Sequence, residues 1–135
     1  MRDKKLNNLI QQLETYLECW KQFNRFIVLT RAKKFGPEDE QQFLEVKSVI
    51  VQELESILST VETGTPTREE THSIITAAPS LRHISELNEP SLRSLETAWH
   101  KIYIGWHSVV GQLKVRQREV ESQSVVSAVF RKKRK

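Results

Sequence analysis

The chain has 135 residues, of which 38% are hydrophobic and 28% charged, which is the composition of a folded protein rather than a disordered one. Its length fits one domain, and its four glycines and four prolines are too few for a turn-rich all-β fold. The net charge of +4 comes from residues 131–135, because the rest of the chain has sixteen Lys and Arg against 17 Asp and Glu. This near-neutral body excludes a domain whose folded face is basic throughout, as in many nucleic-acid-binding domains.

The single cysteine, Cys19, excludes an intramolecular disulfide and a zinc site built on several cysteines. Basic residues stand near the start of the sequence, but no apolar stretch follows them, so no signal peptide is predicted. No apolar run approaches the roughly 20 residues that a transmembrane helix requires. These features predict a cytoplasmic protein.

The first predicted helix covers about residues 3–35 and repeats its apolar side chains with a heptad spacing. Because a strand would place half of these side chains in water, the pattern indicates a helix. Gly36 and Pro37 end it, since glycine favours the left-handed conformation after a helix and proline favours the first position of the next. The heptad residues are Leu6, Leu9, Leu13, Tyr16, Trp20, Phe23 and Ile27.

The second predicted helix runs from Pro37 to about Val61. Its first turn is acidic, which suits the positive end of the helix dipole, and its apolar side chains recur about every 3.6 residues. The short connection at Gly36 and Pro37 predicts that the first two helices are antiparallel neighbours. Gly64, Thr65 and Pro66 mark the next break.

Two more helices follow this break. Thr67 and Glu70 have the spacing of a capping box and start the third helix. Pro79 predicts a kink or a break near residues 77–79, because it removes an amide donor and clashes with the preceding turn. The fourth helix contains Gly105 and Gly111, where we expect close packing because each glycine costs about 1 kcal/mol relative to alanine. Its heptad residues are Leu92, Leu95, Trp99, Ile102, Trp106, Val109 and Leu113.

Together these elements predict an all-α fold. We expect an antiparallel, up-down four-helix bundle with two long outer helices, a third helix kinked near Pro79 and a basic C-terminal tail. Residues 1–118 would form the bundle domain, and residues 119–135 a fraying helix end and the tail. Trp20, Trp99 and Trp106 all occupy heptad positions and are expected in the core.

The sequence lacks a phosphate-binding loop, a known nucleophile motif and a complete metal-ligand set. Its four glycines are isolated, so no phosphate-binding loop is predicted. Glu69 and His72 form one Glu-x-x-His pair, whereas a di-iron bundle needs two such pairs and two further carboxylates. The sequence therefore predicts neither a cofactor nor a metal site and favours a non-enzymatic function.

The basic tail is the candidate anion-binding site. Such a run binds phosphate groups by Coulomb attraction and counterion release, so nucleic acid is one predicted partner. Val125, Val126, Val129 and Phe130 precede it, which also fits an anionic membrane surface, and a solvated end without a partner is the third interpretation. The residues of this site are Arg131, Lys132, Lys133, Arg134 and Lys135.

One pattern on the fourth helix points to catalysis. Arg93, Ser94 and His100 resemble the arginine, polar residue and following histidine of HEPN-type ribonucleases, which are small helical bundles. This resemblance implies that His100 is an acid–base catalyst and that Arg93 stabilises phosphate charge. These two residues are our catalytic candidates.

The surplus of large apolar residues on the two long helices predicts a helical scaffold or adaptor that acts through self-association or by docking another protein. The first alternative is an accessory nucleic-acid-binding protein. In an up-down bundle, the start of the first helix and the end of the fourth share one pole, which adds further basic residues to the tail. The second alternative is a HEPN-like ribonuclease. The basic residues of the expected pole are Arg2, Lys4, Lys5, Lys114, Arg116 and Arg118.

Overall fold

The computed structural model describes residues 4–61 and 66–133, and beyond Gln123 it describes the backbone alone. This part of the chain is entirely helical, without a strand, so the predicted all-α class is confirmed for it. It contains five helices where the sequence predicted four. They are α1 (Lys4–Arg31), α2 (Pro37–Leu58), α3 (Arg68–Ala77), α4 (Leu81–Ser85) and α5 (Glu89–Lys133).

α1 buries the heptad face that the sequence predicted, with Leu13, Trp20 and Phe23 fully enclosed. The helix ends at Arg31, earlier than expected, because Lys33 takes the left-handed conformation with φ 54°. Gly36, which we expected in that conformation, is instead extended and precedes α2. Its amide donates to the Asp39 carboxylate at 2.8 Å, which satisfies a backbone donor at the start of α2.

α1 and α2 lie side by side in opposite directions. Near the start of α1, the Gln12 amide donates to Glu53 at 3.0 Å, close to the end of α2. At the other end, the rings of Phe26 and Phe43 are 5.7 Å apart. The residue numbers therefore rise along one helix as they fall along the other.

The segment around Pro79 forms two helices separated by a break, which is one of the two outcomes predicted near residues 77–79, and not the single kinked helix expected in the bundle. α3 starts at a capping box in which the Thr67 hydroxyl accepts from the Glu70 amide, and it ends at Ala77. α4 starts anew after Ser80, whose hydroxyl accepts from the His83 amide. Proline prevents the α3 backbone from continuing because it lacks an amide donor and clashes with the preceding turn.

α1 runs antiparallel to the first part of α5, from Glu89 to Gln117. At one end Arg31 forms ion pairs with Glu89, at 3.0 Å, and with Glu96. In the middle the Trp99 indole donates to the Trp20 carbonyl at 2.7 Å. At the other end Lys114 pairs with Glu14 at 3.3 Å, and Gln117 donates to Asn7.

The core is centred on aromatic side chains from three helices. The Tyr16 ring meets the rings of Trp20 and Trp106 edge to face, with centroids 6.2 and 5.6 Å apart, and Phe23 joins Trp20 to Phe43. All five are essentially fully buried. Trp99, which we expected in the core with them, is only half-buried and stacks on Tyr103 at the edge of α5.

Candidate functional site

α5 is much longer than the helices that pack against it. Gln117 contacts Asn7, only three residues after the first described residue of α1, yet α5 continues to Lys133. Residues 118–133, which we call the arm, would span about 24 Å at 1.5 Å per residue. The last buried residue that the structure describes is Leu113, so the described start of the arm contributes nothing to the core.

The arm joins apolar and basic residues in one stretch of sequence. Before it, Val115 is 50% exposed on α5. The arm itself carries Val120 and then a group of apolar residues followed by Arg131, Lys132 and Lys133. We predicted a fraying end after residue 118, and the α5 backbone continues as a helix across this position. The apolar group consists of Val125, Val126, Val129 and Phe130.

The structure brings part of the expected basic pole together. The contact between Asn7 and Gln117 places Lys4 and Lys5 at the same end of the molecule as Arg116 and Arg118, and all four are exposed. Lys114 differs because its ammonium group already pairs with Glu14. Arg2, Arg134 and Lys135 lie outside the described residues, and Arg131–Lys133 are described by backbone only.

A groove follows the contact between α1 and α2, and we call it the seam groove. Its upper part, of about 540 Å³, lies between residues 19–29 of α1 and residues 39–49 of α2. Its lower part, of about 420 Å³, lies between residues 8–19 and residues 49–53, and the two parts share Cys19 and Val49. Val49, which lines both parts, is 41% exposed and offers apolar surface to the groove.

The charge of the seam groove is mainly negative. Asp39, Glu45 and Glu53 line it on the α2 side, and Arg25 is the one basic residue that lines it. This groove was not predictable from the sequence because Val49 and Glu45 lie outside the apolar stripe of α2. Only the packing of α1 against α2 brings them beside Cys19 and Phe26.

A second groove, of about 620 Å³, lies between α3 and α5. Its floor is formed by buried apolar side chains, including Ile74, Leu95 and Ile102. On its rim Lys101 pairs with Glu70 at 3.6 Å, so much of the charge there is internally compensated.

Burial shifts the pKa values of two side chains of α1. Burial raises the pKa of the Cys19 thiol, and the nearby carboxylates of Glu53 and Glu18 raise it further. Cys19 is therefore a protonated thiol at neutral pH rather than an activated nucleophile. Burial also raises the pKa of Tyr16 well above 10.0, because the phenolate would lose its hydration in the aromatic core.

The structure places the two catalytic candidates, Arg93 and His100, on the exposed face of α5. The Arg93 guanidinium pairs with Glu89 at 3.3 Å, and His100 contacts the ring of Trp99. Neither residue lines the seam groove or the groove between α3 and α5. The geometry does not assemble them into a site with an unpaired arginine beside the histidine.

Metal-ligand side chains do not cluster in the described part of the chain, where no group of three His, Cys, Asp or Glu could hold an ion. Glu70, close to the Glu69 and His72 pair, is occupied by the capping box of α3 and by Lys101. Among the helices that the structure describes, none combines the length and the apolar character needed to cross a bilayer.

Comparison with protein-family models, with curated proteins and with solved structures gives no match for this chain.

Proposed function

We propose that this protein is a non-enzymatic helical scaffold that associates through the arm of α5. The observation that carries the proposal is the length of α5, which continues for sixteen residues beyond Gln117, the last residue of α5 with a hydrogen bond to α1 among the described residues. In the same proposal, α3 and α4 together take the place of one helix in an antiparallel, up-down four-helix bundle. The bundle then serves as the rigid base from which the arm extends.

Helix energetics support a partner for the arm. The arm continues α5 and needs no new nucleus, but packing of an apolar face supplies most helical stability in proteins. The arm sequence contains Val125, Val126, Val129 and Phe130, whose burial would contribute about 1.5–3 kcal/mol for each large side chain. A second copy or another helical protein would supply that burial.

Sedimentation velocity over a wide concentration range tests this proposal. We expect the weight-average mass of the full chain to rise with concentration. A chain that ends at Gln117 should sediment as a monomer, and its circular dichroism should show that the bundle remains helical. If the full chain is a monomer at every concentration and captures no helical protein through the arm, the proposal is wrong.

The basic pole favours a second candidate function, binding of nucleic acid. Lys4, Lys5, Arg116 and Arg118 are exposed at the pole from which the arm leads to the basic tail. Removing residues 131–135 should weaken binding to nucleic acid and flatten its dependence on salt, because fewer counterions are released. Replacing Lys33 and Lys34 at the opposite end of α1 with alanine is the matched control. Equal affinity of all three proteins would exclude a role for the tail.

No observation favours the ribonuclease hypothesis for Arg93 and His100, and it stays a prediction from the sequence, as does the cytoplasmic location. Replacing His100 with alanine tests the ribonuclease hypothesis, since a ribonuclease that depends on this residue would lose its activity.

A further inference from the structure

The seam groove and the arm have opposite charge. The groove is lined by Asp39, Glu45 and Glu53 against Arg25 alone, and α2, which forms one wall, contains six carboxylates and one lysine. The arm carries four basic residues against Glu119 and Glu121, and two more basic residues follow it. Opposite charges on two surfaces favour their encounter and suppress wrong partners.

The groove also offers apolar surface where the arm sequence is apolar. Phe26 and Val46 are half-buried on its floor, and Val49 is 41% exposed between its two parts. A helix that lies in such a groove buries side chains spaced three and four residues apart. Val125, Val126, Val129 and Phe130 have this spacing in the sequence of the arm.

The arm of a chain extends away from that chain's own seam groove. It leaves the bundle at the pole where α1 begins, beyond the contact of Gln117 with Asn7, whereas the groove runs from Asn8 toward Leu29 at the other pole. The groove is about 32 Å long, and the arm is about 24 Å long. If a second copy faces this pole in the opposite direction, its arm would cover most of the groove.

We propose that the arm of one copy occupies the seam groove of a second copy, and that a two-fold axis makes the exchange reciprocal. Two-fold dimers are the commonest homo-oligomers, and in them each contact between residue i of one copy and residue j of the other occurs twice. The inference rests on the proposed function, because it specifies how the arm would mediate self-association. The groove between α3 and α5 suits a basic arm less well, because two of its three charged lining residues, Lys101 and Glu70, already pair with each other. Among the described residues, only Glu69 is left there without an ion pair.

A charge exchange in the full-length chain tests the proposal. Glu45 is exposed in the seam groove and has no ion pair within the described residues, so Glu45→Lys should weaken dimerisation about tenfold without harming the fold. Lys132→Glu with Lys133→Glu should weaken it similarly, and the triple variant should recover to within about threefold of the original dissociation constant. Glu69→Lys, on the rim of the other groove, is the matched control and should dimerise normally.

Cys19 supplies an independent test because it lies where the two parts of the seam groove meet. In the full-length Val129→Cys variant, oxidised glutathione should produce a disulfide-linked dimer, since docking would bring Cys19 of one copy near the new thiol of the other. The same variant carrying Cys19→Ser should not form it. Ser108→Cys, exposed on α5 away from the groove, should not form it either.

The outcomes separate this inference from the proposed function. If the full chain remains a monomer, this inference fails, and the proposed function fails with it only if the arm also captures no helical protein. If it dimerises but Glu45→Lys has no effect and the Val129→Cys variant forms no linked dimer, the seam groove is not the docking surface and the inference is overturned. If Glu69→Lys weakens the dimer instead, the arm docks between α3 and α5, which also overturns it.

Discussion

Gly105 of α5 is enclosed, whereas Gly111 six residues later is open. A Cβ atom at position 105 would lie 2.8 Å from Pro66 Cγ and 3.0 Å from its Cδ, so glycine permits a close approach there. A Cβ atom at position 111 would meet nothing within 4 Å. The expectation of close packing therefore holds at one of the two glycines that the sequence places inside this helix.

These two positions give a matched pair of substitutions. Gly111→Ala should raise the free energy of unfolding by about 0.5–1 kcal/mol, because alanine has the higher helix propensity. Gly105→Ala gains the same propensity but must displace the ring of Pro66, so we expect a net loss of about 1–3 kcal/mol. Urea titrations of both variants measure the difference, and equal stabilisation by both would show that Pro66 does not pack on α5.

Tyr16 should make the folded protein less stable at alkaline pH. Its hydroxyl is buried without a hydrogen-bond partner in the described residues, and burial raises its pKa above the ordinary value of 10.0. Below pH 10 the phenol is neutral in the folded and in the unfolded chain, so burying it costs no ionisation energy and the folded state keeps its full stability. Above pH 10 it ionises first in the unfolded chain, so the free energy of unfolding falls as the pH rises toward the folded pKa.

Tyr16→Phe tests this reasoning. At pH 8 the variant should be within about 1 kcal/mol of the original protein, because the hydroxyl that it removes has no partner. Between pH 10 and 11 the original protein should lose roughly 1 kcal/mol more than the variant. Parallel losses in both proteins would mean that Tyr16 is not the group responsible.

At the scale of elements, the break between α3 and α4 is held by side chains of α2. Glu40 accepts hydrogen bonds from the amides of Leu81 and Arg82 at 3.1 and 2.8 Å, which caps the start of α4. Lys47 donates to the carbonyls of Ala78 and Pro79 at 2.9 and 3.0 Å. The backbone groups that Pro79 releases from helical pairing are thus satisfied by a neighbouring helix.

Removing the Glu40 cap should destabilise the protein. Glu40→Ala leaves two amides at the start of α4 without their carboxylate, and we expect a loss of about 1–2 kcal/mol in the free energy of unfolding. Gln41→Ala, at the next and exposed position of α2, should change it by less than about 0.5 kcal/mol. Urea titration measures both, and equal effects would contradict the role of Glu40.

The elements differ in how far local sequence determines them. The heptads of α1 and α5 were predictable because bulky residues at one spacing can be buried on only one helical face, as Leu13 and Trp106 are. Pro79 predicts an interruption between α3 and α4, but the side chains that satisfy its backbone groups were not predictable, because Glu40 and Lys47 lie about forty and thirty residues earlier in the chain. Trp99 occupies a heptad position as Trp20 does, but its place at the edge of α5 depends on the neighbouring helices.

For the whole molecule, charge is distributed unevenly in a way that total composition does not show. α2 carries an excess of five negative charges, whereas the residues after Gln123 carry only positive ones. The basic residues of the arm and tail were predictable as a binding site because they form one continuous run. The acidic residues of the seam groove were not, since Asp39, Glu45 and Glu53 become one surface only when α1 packs against α2.

Hydrogen exchange of the full-length chain at low and high concentration tests the central claim, that the arm is covered by another molecule. We predict slow exchange in α1 at both concentrations, because its core face is enclosed by α2 and α5. Amides of residues 118–133 should exchange rapidly when the protein is dilute and become protected as the concentration rises. Rapid exchange of these amides at every concentration, with or without added partner proteins, would contradict the account.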